Sequence, residues 1–265
     1  MRIIDSHCHV YPEAIAMKAV KSVSNFYDGI NSFGDGIAQS MKKRWTECGV
    51  DHAVIFSVAT KLGQVDSINS FISETVKSSE GFFTGLGTVH QDSKHMEDVV
   101  DKIISLGLKG IKLHPDTQLC AIDDKRLFPL YEACEGRLPV LLHTGDYRYN
   151  YSNPDQLEPV LKSFPRTTFI GAHFSGWSVW DEAVERLHGY DNLYVDTSST
   201  FHWVESEKVR KYIKAYGSEK IMFGSDFPMW DVKPEKDAML SLKLSDNEYE
   251  NIFHKTAERL FSIPS

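Results

Sequence analysis

Two histidines stand one residue apart in Asp5-Ser6-His7-Cys8-His9-Val10, directly after the apolar pair Ile3-Ile4. In an extended strand, side chains two apart share a face. His7 and His9 therefore aim two imidazoles at one point, which is half of a metal site. Other polar residues stand where apolar runs end: Lys112 and His114 in GIKLHP, His143 in VLLHTGD, His173 in FIGAHFSGW, Asp196 in YVDTSS and Asp226 in IMFGSDFP. His7, His9 and His143 offer nitrogen and Asp226 offers oxygen. This donor set suits Zn²⁺, with Mn²⁺, Fe²⁺ or Co²⁺ as alternatives. A divalent ion with an open position lowers the pKa of its water toward ~7. Asp226 is then the expected general base, taking the proton and returning it to the leaving group. His173 either binds a second ion or donates to a developing oxyanion. Lys112, beside His114, reads as a charged anchor for a substrate carboxylate. Its other reading is a carboxylated lysine bridging two ions. One ion is expected, and two if Lys112 is carboxylated.

These residues need elements that bring them together. Eight short apolar or β-branched runs recur at 2–5, 53–57, 82–87, 110–113, 140–142, 168–171, 193–196 and 221–224. Continuous apolar runs mark strands buried on both faces. Between them lie helical patterns, such as 93–107 closed by Gly107, then 66–79 and 180–187, and a C-terminal segment opened by the capping box Ser245-Asp246-Asn247-Glu248. The alternation predicts an α/β chain, a single (β/α)8 TIM barrel domain over 1–265, with a doubly wound open sheet as the alternative. In such a barrel the site lies at the carboxyl ends of the strands. Five of the eleven histidines (His7, His9, His114, His143, His173) stand at predicted strand ends. His90 and His202 fall in loops near the mouth, while His52, His95, His188 and His254 read as ordinary surface or packing residues. The glycine-rich stretch 24–36 reads as a loop after the first strand and a candidate lid.

Lys plus Arg number 29 and Asp plus Glu 37, a net charge of −8. That argues against nucleic acid, whose phosphates require basic patches. No apolar run approaches the ~18 residues of a membrane span, and no signal peptide is evident. The four scattered cysteines fit reduced thiols, so a cytoplasmic location is expected. Aromatic residues follow several strands: Tyr147, Tyr149 and Tyr151 around Arg148, then Phe174, Trp177, Phe201, Trp203, Phe227 and Trp230. They either line a site for a flat small molecule, with Arg148, Lys112 or His114 for a carboxylate and Trp177 as a wall, or pack together or against a second subunit of a homodimer.

Taken together, His-x-His after strand one, with His143, His173 and Asp226 after strands five, six and eight, resembles the amidohydrolase superfamily. GIKLHP, GAHFSGW and FGSDFP resemble its amidohydrolase-related branch, which includes metal-dependent decarboxylases and lactonases. The resemblance spans nearly the whole chain. It implies a metal held by His7, His9, His143 and Asp226, with His173 near the reacting atoms. Lys112 matches the place where binuclear members carry a carboxylated lysine, whereas decarboxylases of the branch usually lack it. TatD-type nucleases also open with His-x-His but carry a glutamate after strand four, where this chain has Lys112 and His114. The leading expectation is a metal-dependent hydrolase of a small-molecule C–O or C–N bond (a lactone, ester or amide). The alternative is a non-oxidative decarboxylase of a small aromatic or unsaturated acid.

Overall fold

Each of the eight apolar runs forms a strand in the computed structural model, which describes residues 1–264. They are β1 (Ile4–His9), β2 (His52–Phe56), β3 (Phe83–Gly85), β4 (Ile111–Leu113), β5 (Val140–Leu142), β6 (Phe169–Gly171), β7 (Leu193–Asp196) and β8 (Ile221–Met222). All pairings are parallel, in the orders β1-β2-β3 and β4-β5-β6-β7-β8. Parallel bridges join the two sheets at Gly87–Ile111 and at Cys8–Phe227. Backbone bonds reinforce both joins, Lys112 N to Gly87 O at 2.7 Å and Ser6 N to Phe223 O at 2.8 Å. The sheet therefore closes on itself as an α/β barrel, and the open doubly wound alternative is excluded.

Side-chain alternation divides the core in two. Ile4, Val54, Phe56, Leu86, Leu141, Ile170 and Met222 fill the barrel interior, plugged from below by Ala257 and Phe261 of the C-terminal helix Thr256–Phe261. The outward residues, among them Cys8, Ala53, Ile55, Ile111, Leu113, Val140 and Leu142, pack under the helices. Lys112 pairs in register with Leu141, and Leu141 with Ile170. A lysine thus occupies a position that is apolar in the next two strands.

The helices at 93–107 and 66–79 are shorter than expected, Met96–Ser105 and Val65–Lys77, and Trp180–Leu187 is as expected. Gly107, with φ +81, ends its helix as anticipated. The C-terminal segment opens on the Ser245–Glu248 capping box. Two helices, Glu13–Phe26 and Ala38–Glu47, fill the long connection from β1 to β2. The first takes in the start of the stretch expected to be a loop, so 24–36 begins as a helix end followed by a turn. His52 is also relocated: it opens β2, buried, and shares a 2.9 Å hydrogen bond with Thr84. No helix among the described residues is long and apolar enough to cross a membrane.

Candidate active site

The period-two argument for His7 and His9 holds inside β1 rather than beyond its end. The β1–β2 register shifts between Asp5 and Cys8. Without that bulge, Ile4 and His7 would face opposite sides of the strand. With it, Ile4 fills the interior and both histidines turn into the mouth, while Cys8 faces the helices. Gly224 makes the close approach of β8 possible, since a Cβ there would sit 2.9 Å from the Cβ of His7.

His7 Nε2 and His9 Nε2 lie 3.3 Å apart. Asp226 Oδ1 lies 3.4 Å from the first and 3.7 Å from the second. The ligand atoms of these three residues all fall within 4.8 Å of one another. Asp226 adopts φ +69 just after β8, a left-handed conformation that costs a non-glycine residue of order 1–3 kcal/mol. Its other oxygen accepts from Ser199 Oγ at 2.5 Å, and Ser199 in turn accepts from Trp230 Nε1 at 2.8 Å. Asp196 closes β7 and steadies the ring behind: its Oδ2 lies 2.8 Å from His7 Nδ1, and its Oδ1 accepts from the backbone N of His173 at 3.1 Å. A carboxylate on the far nitrogen fixes an imidazole's orientation and leaves the near one free for a ligand.

His173, Phe174 and Ser175 all have positive φ, a left-handed turn after β6. The turn sets His173 Nε2 3.1 Å from His143 Nδ1, with the His7 and His173 rings 5.2 Å apart. His143 also belongs to a neighbouring group with His114 and Asp116. The His114 and His143 rings stack at 4.0 Å, and Asp116 accepts from Ser152 Oγ at 2.7 Å. Buried His114 Nδ1 and Asp116 Oδ1 have no hydrogen-bond partner. Donors that converge with unpaired nitrogen and oxygen fit a divalent cation, so the metal expected from the sequence has residues suited to hold it.

Burial dominates the electrostatics. It pushes His7, His9, His114 and His143 well below the usual imidazole range and His173 down to about 4, leaving all five neutral with lone pairs available. The same desolvation lifts Asp226 to about 6 against the pull of Ser199 and Lys112. It lowers Lys112 to about 8 against Asp196 and Asp226, and raises Asp116 to about 7.

The expected residues do not all converge. Lys112 is wholly buried, with Nζ 3.4 Å from His7 Nε2 and 5.1 Å from the Phe56 ring centre. Arg148 donates to Asp146 at 3.0 and 2.7 Å, to Asp28 at 3.0 Å and to Phe26 O at 2.9 Å. Neither lines the two spaces at the mouth. One is a small pocket of about 20 Å³, room for roughly one water, bounded by Tyr27, His143, His173, Trp177, Trp230 and Asp226 among others. The second is a cleft of about 760 Å³ that reaches His9, His114, His143 and Asp226. Trp177, Trp203 and Trp230 line the small pocket as anticipated. Phe174 and Phe227 do not; they are buried in the outer core against Tyr212 and Trp45.

Tyr27 was missed. It follows the helix Glu13–Phe26 and brings its hydroxyl to 3.0 Å from His114 Nε2 and 3.5 Å from His143 Nε2. Asp116 and Ser199 were missed too. The one available signal was polarity close behind a predicted strand end.

A family model described as amidohydrolase matches residues 4–263. The chain belongs to the amidohydrolase family, a family of enzymes. Solved structures place this amidohydrolase among similar barrels. An uncharacterized TIM-barrel protein from Bordetella bronchiseptica matches at TM-score 0.81 and 21% identity, covering 99% of each chain. The 5-carboxyvanillate decarboxylase of Novosphingobium aromaticivorans, solved with manganese, matches at 0.77 and 15%, covering 98% of this amidohydrolase and 96% of the relative. A candidate 2-pyrone-4,6-dicarboxylic acid hydrolase from Pseudomonas putida matches at 0.73 and 17%, covering 100% and 98%. At such identities the likeness concerns the fold. No curated protein matches the chain.

Proposed function

We propose that this amidohydrolase is a metal-dependent hydrolase of a C–O or C–N bond in a small lactone, ester or amide. The observation that carries the reading is the convergence of His7, His9 and Asp226 ligand atoms within 4.8 Å of one another at the barrel mouth. These residues would hold the ion, with His143 and His173 adjoining, and the donor set suits Zn²⁺ first and Mn²⁺ second. When bound, the ion supplies Lewis acidity and a water of lowered pKa. Asp226, fixed at Oδ2 by Ser199, takes the attacking water's proton at Oδ1 and passes it to the departing oxygen or nitrogen. His173 donates from Nδ1–H to the carbonyl of Ser198 at 2.9 Å, so its neutral ring offers a lone pair at Nε2, suited to hold an ion or to take a proton beside the reacting atoms. Tyr27 and Trp177 line the small pocket beside Asp226 and His173. His114 faces the substrate from the cleft side. Lys112 contributes through His7 and Asp226, and a substrate carboxylate reaches Arg148 only if Asp146 or Asp28 yields.

The test is turnover of a panel of lactones, esters and amides by the zinc- or manganese-loaded protein in ¹⁸O-water. Hydrolysis puts one heavy oxygen into the carboxylate product. Release of CO₂ with no net uptake of water would remove the hydrolase reading.

A second reading, a decarboxylase of a small aromatic or unsaturated acid, draws on the aromatic wall of Tyr27, Trp177, Trp203 and Trp230 beside Asp226. Such a wall suits a flat ring. Here Asp226 or His173 would protonate carbon as CO₂ departs. The same product analysis separates the two reactions.

A further inference from the structure

The larger cleft extends well beyond what the metal-site chemistry requires. Its floor is polar, formed by His9, His114, His143 and Asp226, while its walls are mostly apolar. One wall comes from the helix Glu13–Phe26, through Ile15, Ala19 and Val23. The facing wall comes from Val58 behind β2 and from Ile68 and Phe71 of the helix Val65–Lys77. At about 760 Å³ the space is within the range of drug-sized ligand pockets. Ile15 and Leu119 at its edge are 51% and 64% exposed, large apolar side chains left to water beside a pocket that ends at the reacting groups.

We infer that this cleft is a binding subsite for the apolar chain of the substrate, so that the enzyme acts on amphiphilic molecules. Their scissile ester or amide group would rest on the polar floor, and an alkyl or acyl chain would run out between the two walls. The inference rests on the hydrolase reading for what happens at the floor. Continuity argues for this occupant: His9, His114, His143 and Asp226 line the cleft itself, so a group resting on them leaves its chain within the same space, and His143, Asp226, Tyr27 and Met229 also form the wall shared with the small pocket. Tyr27 stands between the two spaces with its hydroxyl on His114 and His143, and so sets which way the chain leaves. The rim supplies Lys18, Gln64 and Ser67, which suits a chain whose outer end meets water.

The experiment has two parts. Metal-loaded enzyme is assayed on p-nitrophenyl acetate, butyrate and octanoate, and binding of octanoate and acetate is measured by calorimetry. The expected kcat/KM rises with chain length by up to about fourfold per methylene, and octanoate binds where acetate does not. Val58→Trp narrows the cleft from one side and lowers the octanoate-to-acetate ratio about tenfold or more, by filling the space several methylenes would occupy. Ala19→Trp, on the surface helix opposite, gives the same result should the first variant fold poorly. Esters cleaved with no dependence on chain length would overturn the subsite while leaving the hydrolase reading intact. Octanoate bound, with no ester, lactone or amide of the panel cleaved, would overturn the hydrolase reading and keep the subsite. A dimer in sedimentation that buries Ile15 and Leu119 and excludes octanoate would assign the cleft to a second copy and overturn the inference.

Discussion

Asp226 works through its neighbours as much as through its own charge. Its Oδ1 faces two imidazoles and its Oδ2 is held by Ser199, itself held by Trp230. Replacing the carboxylate with an amide keeps the shape and removes the proposed base. Asp226→Asn is expected to lower kcat by about 10²–10⁴, with bound metal measured in parallel to separate lost base from lost ligand. His52 gives a pH effect far from the site. Burial lowers it to about 4, so between the ordinary 6.5 and that value the unfolded chain binds the proton and the folded one does not. Stability is therefore full above pH 6.5 and falls as pH drops through this window. His52→Gln should flatten the slope of Tm against pH there; an unchanged slope would show that other groups set it. At this scale the sequence reveals residues whose placement follows from a local period. His7 and His9 are legible because alternation alone puts them on one face. Tyr27, Asp116 and Ser199 are not, because each reaches the site through a turn whose direction is set by packing distant in sequence. Arg148 shows the reverse limit: its type suited a carboxylate, but its nearest carboxylates are the chain's own Asp146 and Asp28.

The elements differ in how openly their sequences declare them. The strands after β1 are legible as largely apolar runs because parallel strands in a closed barrel are covered on both faces, whereas β1, IDSHCH, is legible from Ile3-Ile4 and the His-x-His spacing. The helix Glu13–Phe26 carries no such signal. Only Ala16 and Val20 are buried, while Ile15 and Met17 face outward, so its apolar residues trace no single stripe. The helix Ala38–Glu47 is mostly polar and enters the core through Ala38, Met41 and Trp45. Trp45 also donates from Nε1 to Asp5 Oδ2 at 2.8 Å. Asp5 further accepts from Ser225 N at 2.9 Å and Ser225 Oγ at 2.6 Å, so one buried carboxylate ties a helix, β1 and the end of β8 together at the barrel seam. Trp45→Phe keeps most of the apolar contact and removes one donor from that carboxylate. It is expected to destabilise the fold by about 1–3 kcal/mol, read as a lower urea midpoint with an unchanged slope. A midpoint equal to wild type would mean that the Ser225 donors suffice.

For the molecule as a whole, an ion held by the proposed ligands His7, His9 and Asp226 would join the first strand to the last. Anything that binds the folded state alone adds stability as RT ln(1 + [L]/Kd), about 2.7 kcal/mol at a hundredfold excess over Kd. Chelation of the metal-loaded protein should therefore lower Tm, and Zn²⁺ or Mn²⁺ should restore it. A chelated protein that melts unchanged would show that the barrel does not depend on its ion. The bulge in β1 and the left-handed turn after β8 also bear on biosynthesis. His7 and His9 emerge from the ribosome early, and Asp226 only after the seven other strands have been made. A nascent chain therefore displays two imidazoles without their carboxylate, a weak and unselective trap. The three proposed ligands meet only once the seam has shut, so in that reading the choice of metal would fall to the finished barrel and to whatever ion the cell then offers it.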